Sequence, residues 1–474
     1  MLSVVAYNFT ENSTISPELI LVDQSVHSAR SYIPHVVTNY SKTIEKVYLY
    51  NKTGMFYLVD VVPGRYYSWS VHAEGYMIGP HDFIIRDYAE NKTSKFIVVA
   101  DFDNSPTAAA TLKALARQDW QQIDAFIHAG DFAYDVDYNG GKVGDAYFNC
   151  LSSIITATPY LVIAGNHENY DNAALFNYRF RMANYDDRFE NNVYAVVKNN
   201  VLFTFVNYDW FLKIHRKRKE ETLAKVVELF EKYKTDERVR WRVVVTHRPI
   251  YCGWSTKKDC RINFYELKPF EDVYRRYSVD VFLLAHEHIY ERLKFMHNFQ
   301  YVSGLQVSST ADNIFEVVDS TEPLTVISGL AGNKEEFPLD PETFATNDVA
   351  FGGIQSFLEV TVTDRYFSVR SVSAVDGRTL DHVRLIKTSH FGPKSWLSTV
   401  PTIVYPIVFI LIVLACFLLT QHLIQKKKQT GKGQIDEDDL GYSKVKAKQH
   451  DGLNTSGENL PSGSFVIAEQ ETKI

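Results

Sequence analysis

Cysteine is scarce, with four in 474 residues and no Cys-x-x-Cys pair. That excludes a disulfide scaffold, a thiol redox motif and a cysteine zinc site. A basic surplus is missing too. The chain has 50 lysines and arginines against 57 aspartates and glutamates, a formal charge of −7, so nucleic acid is not an expected partner. No internal repeat is visible. The opening "MLSVVAYNFTENST" has no basic segment, and its apolar part is shorter than the ~7–15 residues an export signal needs. Aromatics, by contrast, are plentiful (29 Tyr and 30 Phe), as core and sheet material.

One long apolar run is present. From Ile403 to Ile424 the chain reads "IVYPIVFILIVLACFLLTQHLI". At ~1.5 Å per residue a helix of this length crosses a ~30 Å hydrocarbon core. Lys426, Lys427 and Lys428 follow at once and mark the cytosolic side. The bland alternative is a buried core helix; the length, the lysine stop and the polar tail argue against it. A lipid-anchor signal would end within the apolar stretch, and this chain continues. The expectation is a single-pass membrane protein: linker 386–399, transmembrane helix 400–424, disordered cytosolic tail 425–474, and everything before them lumenal or extracellular. Sequons at Asn8, Asn12, Asn39, Asn51 and Asn91 suit a glycoprotein of that orientation. Such a topology requires an export signal, so the true start is expected upstream of Met1. In an oxidising compartment Cys252 and Cys260, which bracket "CGWSTKKDC", are expected to pair, whereas Cys150 has no evident mate.

Ahead of the membrane run the pattern changes once. Residues 1–92 read as short strands ("EKVYLYN", "MFYLVDVV", "YYSWSVHAEG") with "VPGR" and "NKTG" as turns, hence a small β-sandwich. From 93 to 385 apolar strands alternate with helical stretches, which predicts an α/β domain with a largely buried sheet. Strands are expected at 95–101, 123–131, 160–168, 241–247 and 279–288, and helices at 107–118, 146–157 and 218–233. The last of these helices places Leu223, Val226, Val227 and Phe230 on one face.

The strands end in a consistent way. Asp101, Asp131, Asn166, His247, His286 and His288 each close an apolar run, and Tyr134 follows Asp131 by three residues. An apolar strand has no structural need for a terminal Asp or His, and ligands gather beyond the carboxyl ends of strands in open α/β sheets. Taken singly, "GNH" is a turn and "HEH" an ordinary histidine pair; the joint occurrence is what points to a site. One carboxylate can bridge two cations ~3.5–4 Å apart. Asn and His suit a softer divalent ion, and carboxylates with a phenolate suit a harder, more charged one. A tyrosine titrates near ~10, so only a strongly charged ion holds it as a ligand at neutral or acid pH.

In the order "VVAD…GDFAY…GNHE…VVVTH…AHEH" these motifs resemble the purple acid phosphatases, within the calcineurin-like metallophosphoesterases. The resemblance spans residues 1–385, weak before 93 and strong after. It implies a two-sheet α/β sandwich over 93–385, preceded by a fibronectin-like β-sandwich over 1–92 that lacks its first strand. It implies that Asp101, Tyr134 and His288 hold Fe(III), that Asn166, His247 and His286 hold a divalent Fe, Zn or Mn, and that Asp131 bridges the two. A metal-bound hydroxide would attack a phosphate monoester in line, with His167 stabilising the transition state or protonating the leaving oxygen. The activity implied is that of an acid phosphatase. Tyr134 disfavours the protein Ser/Thr phosphatases, which carry aspartate at that place.

The chain departs from the family pattern in three places. Asp103 replaces a glycine in "ADFD" and is expected to point away from the site; Ala285 replaces another; and "HRPIYCGWSTKKDC" lacks a substrate-facing histidine, with Lys257 and Lys258 as candidates to supply positive charge instead, against the bland reading of solvated side chains. Alternatives of other classes are a nucleotide or phosphodiester hydrolase, and a catalytically inactive receptor or adhesion ectodomain, whose mark would be a missing ligand. In the tail, Tyr442 and Val445 in "GYSKV" have the spacing of a sorting signal that adaptor proteins read as an extended strand, against the bland reading of a chance match. An acid-active enzyme facing a lumen makes a lysosome-like compartment the expected address, with the cell surface as the alternative.

Overall fold

Strand Ser94–Val99 shows how the main domain is built. Phe96 and Val98 point one way and Ile97 and Val99 the other, yet all four are buried. A strand covered on both faces belongs to a sheet packed on both sides. Phe96 and Val98 meet Phe203, Val243 and Val281 from a second sheet. Ile97 and Val99 pack with Leu115 and Tyr147 from helices Ala109–Leu115 and Lys142–Cys150. On the far side, Val244, Phe282 and Leu284 meet Phe230 and Tyr274 from helices Lys219–Lys232 and Asp259–Arg276. The result is four layers, helix–sheet–sheet–helix, with the main core between the sheets.

The computed structural model describes residues 2–388 except 8–17, 34–35, 45–46, 58–60, 74–75, 89–91, 184, 215, 254–258, 299, 303–304 and 336–346. The apolar run 403–424, Tyr442 and Val445, and Lys257 and Lys258 lie outside the described residues. Among the described residues no helix is long and apolar enough to cross a membrane.

The first sheet has eight strands. Tyr160–Val162, Ala125–His128 and Ser94–Val99 run parallel at one end, followed by Ser356–Val362, Tyr366–Ser373 and Thr379–Ile386. The second has seven, with Val201–Val206, Trp241–Val245, Val281–Leu284 and Leu324–Ser328 parallel at its centre. The stretch after 324 therefore serves both sheets. Parallel neighbours in register bring their carboxyl ends to one rim: Val99 faces His128, and Val245 faces Leu283.

Residues 2–84 form two antiparallel sheets. One has the order Leu2–Tyr7, Val47–Tyr57, Val36–Ile44; the other is Ser28–Tyr32, Glu18–Asp23, Tyr66–Ala73, Tyr76–Ile84. The second carries its own small core of Leu19, Leu21, Tyr67, Trp69, Val71 and Phe83. The "NKTG" turn is a correction. Asn51–Gly54 lies inside strand Val47–Tyr57 and is paired on both sides, Gly54 with Val5 and with Val37. Two-sided pairing outweighs local turn propensity here. "VPGR" does turn, with Gly64 at φ 81°. The helix expected over 146–157 starts earlier and breaks once, as Lys142–Cys150 and Ser152–Ile155. Cys252 is disulfide-bonded, as expected; the side chain of Cys260 lies outside the description.

Candidate metal centre

The strand ends turn sharply just where the candidate ligands stand. Asp101, Asp131 and His286 adopt φ values of 53°, 55° and 72°. Left-handed backbone at a non-glycine residue costs about 1–3 kcal/mol and persists only where the surroundings enforce it. Enforcement is visible: Asp101 N donates to Gly130 O at 3.1 Å, and His286 N donates to Asp101 Oδ2 at 3.0 Å. Each turn swings its side chain off the sheet edge into the gap between the two sheets.

Two groups of donors face that gap. In the first, Tyr134 Oη lies 2.8 Å from His288 Nε2 and 3.3 Å from Asp101 Oδ1, and His288 Nε2 lies 3.3 Å from the same Oδ1. In the second, His247 Nε2 is 3.2 Å from Asn166 Oδ1 and 3.2 Å from Asp131 Oδ2. Donor atoms of Asp131, His247 and His286 all lie within 4.8 Å of one another. Ligand atoms held ~2.0–2.2 Å from one ion stand roughly 3 Å apart around it, so both groups fit a cation. His247 Nδ1 donates to Ala129 O at 3.0 Å, which fixes its tautomer and leaves the Nε2 lone pair facing Asp131 and Asn166. The sequence-derived residues Asp101, Asp131, Tyr134, Asn166, His247, His286 and His288 are thus brought together at one rim, and His167 lies beside them.

Glycine makes the approach possible. A Cβ on Gly165 would stand 2.2 Å from Asp131 Oδ1, and one on Gly329 would stand 2.8 Å from Asp101 Oδ2. Only a residue without a side chain fits either place.

Several contributors were not singled out in the sequence. Glu168 is fully buried, and its carboxylate accepts from the backbone N–H groups of Asp131 (2.9 Å), Phe132 (2.8 Å) and Gly165 (2.7 Å), tying two ligand loops together. Burial and the neighbouring Asp131 push its carboxyl up to about 8, against those N–H groups, which favour the anion. Asp135 Oδ1 lies 2.5 Å from His167 Nδ1, while Glu335 Oε1 lies 3.6 Å from His167 Nε2. Arg248 Nη1 lies 2.9 Å from His286 Nε2, and its Nε donates to buried Asp209 at 2.7 Å. Glu168 closes the quoted "GNHE" and Asp135 follows "GDFAY", so both were within reach of a sequence argument. Asp209 and Glu335 carry no local signal. Asp103 does point away, as expected: its Oδ1 accepts from Ser105 N at 2.8 Å and its Oδ2 from Lys334 N at 2.8 Å, so it pins two loops together.

The electrostatics call for positive charge. Burial opposes ionisation of Asp131 and Asp101, yet His247 and its neighbours hold both carboxyls below the usual range. Burial likewise opposes the imidazolium of His247, but Asp131 and Asp101 outweigh it and hold its pKa at about 9. His167 follows the same logic, with Asp135 and Asp131 outweighing burial to give about 9. Burial and the charges of Asp101, Asp131 and Glu335 push the Tyr134 phenol well above its ordinary value. Cations in this anionic field would lower all three. His128, buried behind the site against Tyr160 and Tyr147, is a neutral core histidine whose pKa burial pushes down to about 3.

Residues 94–290 match the calcineurin-like phosphoesterase family. Over 301 residues it is 27% identical to acid phosphatase type 7 of Danio rerio, covering 58% of this chain and 63% of that protein. Against acid phosphatase type 7 of Homo sapiens it is 26% identical over 296 residues, covering 59% and 65%. The chain thus spans less than two thirds of the length of these curated relatives. Among solved structures, a purple acid phosphatase from yellow lupin (Lupinus luteus) seeds superposes with a TM-score of 0.62 at 16% identity, over 79% of this chain and 70% of that one, which shows a shared fold. The resemblance to purple acid phosphatases read from the motifs is borne out.

Proposed function

We propose that this protein is a metal-dependent acid phosphatase acting on phosphate monoesters. One observation carries the reading: donors from five strand ends, drawn from both sheets, converge in two groups with Asp131 in the second and its charge acting on the first. Asp101, Tyr134 and His288 would hold one cation, Asn166, His247 and His286 another, and Asp131 would be shared. A phenolate ligand at Tyr134 would favour Fe(III) for the first place, and the Asn/His set would favour divalent Fe, Zn or Mn for the second. Bound cations would neutralise the ester's oxygens and lower the pKa of the attacking water.

The chain's own residues do the rest. Glu168 and His247 keep Asp131 in place through backbone and ring contacts. His167 donates its backbone N–H to Asp131 Oδ1 at 2.9 Å and bonds Asp135 through Nδ1, which leaves Nε2 to give a proton to the leaving oxygen. The test is metal analysis of the purified full chain, followed by hydrolysis of an aryl phosphate before and after chelation. Metal-free protein with undiminished hydrolysis would sink the reading.

The two antiparallel sheets of residues 2–84 suit a fibronectin-like module, and the apolar run with its lysine stop suits a membrane anchor that holds the catalytic domain on the lumenal or extracellular side, with Tyr442 and Val445 available to a sorting adaptor in the cytosol.

A further inference from the structure

Asp103 stands where the family pattern has glycine, and its side chain is buried two residues past the candidate ligand Asp101. The carboxylate serves two segments at once. Its Oδ1 accepts from Ser105 N at 2.8 Å and from Ser105 Oγ at 2.6 Å, and its Oδ2 accepts from Lys334 N at 2.8 Å. The backbone adds a further tie, with Asp103 N donating to Gly332 O at 3.0 Å. Segment 332–335 is thereby drawn against the loop that follows strand Ser94–Val99. The approach is close enough that a Cβ on Gly332 would stand 2.8 Å from Thr107 O.

Once seated there, the segment reaches the metal centre. Asn333 Nδ2 donates to Asp101 O at 3.1 Å, and Lys334 Nζ donates to Tyr134 O. Asp101 and Tyr134 belong to the first donor group, and both hold left-handed backbone, with φ of 53° and 43°. Such backbone costs free energy and persists only where the surroundings enforce it. A donor on the carbonyl oxygen fixes the planar peptide group that follows the residue, and so limits how far the turn and the side chain it aims can rotate. The Asp103–Lys334 bond behind this clamp is charge-assisted, hence roughly twice as strong as a neutral one. The second donor group is held by other contacts: Glu168 on the backbone of Asp131 and Gly165, and Ala129 O on His247.

Resting on the metal-centre reading, we propose that Asp103 is a positioning residue for the first cation: it seats segment 332–335 so that Asn333 and Lys334 clamp the turns of Asp101 and Tyr134. Its own oxygens are taken by Ser105 and Lys334, so it acts through the segment and is not itself a ligand. The clamp slows escape of the ion held by Asp101, Tyr134 and His288, and leaves the ion on the Asn166, His247 and His286 side unaffected.

The test reconstitutes the full chain with Fe(III) and Zn(II) and follows the release of each element to EDTA, together with the violet-to-pink band of a Tyr134–iron pair. Asp103→Ala should release iron at least fivefold faster than the wild type and shift that band, while zinc release stays within twofold. Lys334→Met removes only the ammonium of an exposed side chain, so it folds even if Asp103→Ala does not, and it should release iron at least twofold faster. Because both residues act along one path, the double variant should release iron no faster than Asp103→Ala alone. Iron release at the wild-type rate in Lys334→Met overturns the inference. So does equal acceleration of iron and zinc in Asp103→Ala, which is what a merely structural role gives, and so do single-variant effects that multiply in the double variant. A chain that takes up neither ion, or binds iron without the colour, overturns the metal-centre reading itself, and this inference with it.

Discussion

Gly165→Ala adds one methyl group at the most crowded point of the site, and its effect can be worked from distances. The glycine has φ −105°, which alanine adopts freely, so the backbone offers no objection. The objection is space. The new Cβ would stand 2.2 Å from Asp131 Oδ1, 2.7 Å from Asp131 N and 2.8 Å from His247 Cγ. A carbon–oxygen contact relaxes near ~3.3 Å, so something must yield by about 1 Å. Gly165 cannot retreat easily, because its N–H donates to Glu168 Oε2, which also holds Asp131 N. Asp131 and His247 must therefore move, and both belong to the second donor group. A displacement of ~1 Å at reacting groups costs about 100-fold in rate, and overpacking of a tight interior costs about 1–3 kcal/mol. The expected variant is folded, slightly less heat-stable, depleted in the more weakly held cation and about 100-fold lower in kcat/KM. The assay is metal content, heat unfolding and aryl phosphate hydrolysis on the same preparation. A variant with the full metal content and kcat/KM within threefold of wild type would refute the reasoning.

Tyr134→Phe removes the phenol that faces Asp101 and His288; if that phenol binds Fe(III), the purified protein should lose a violet-to-pink charge-transfer colour, and an iron-free, colourless and fully active wild type would disprove it. In metal-stripped protein the pKa values of His167 and His247 stand at about 9, raised by neighbouring carboxylates in excess of the opposing effect of burial. A raised pKa stabilises fully below the unfolded value of ~6.5, and the gain is lost as pH climbs through the folded value. Chelated protein should therefore lose Tm from about pH 6.5 to pH 9, whereas the metal-loaded protein, whose His247 is already neutral, should not. Arg292 pairs with Asp381 at 2.8 Å and with Asp348 at 3.1 Å, joining strand Tyr290–Leu293 of one sheet to strand Thr379–Ile386 of the other. Arg292→Met strands a buried carboxylate that Tyr290 still partly satisfies, so chemical denaturation should show a loss of about 3 kcal/mol.

The main alternation of strands and helices was legible in the sequence because it is local. An apolar strand covered on both faces has a recognisable composition, and an Asp or His that closes it stands out against that background, as at Asp131 and His247. Asp103 turning away was likewise a sound expectation, although only the fold shows that Ser105 and Lys334 are its partners. Tertiary structure decided the rest. "NKTG" has the composition of a turn, and it became strand because partners before and after it in the chain, Val5 and Val37, pair with Gly54. Glu168 ties two loops by collecting backbone N–H groups, which have no side-chain signature. Arg248 meets Asp209 across 39 positions, and Glu335 reaches His167 from much farther along the chain. The sequence alone determined which donor types wait at the strand ends, since each is set by its own segment. Which of them share a cation, which carboxylate steers His167 and which segment clamps the ligand turns depend on distances between segments far apart in the chain, and only the packing of the two sheets supplies those distances.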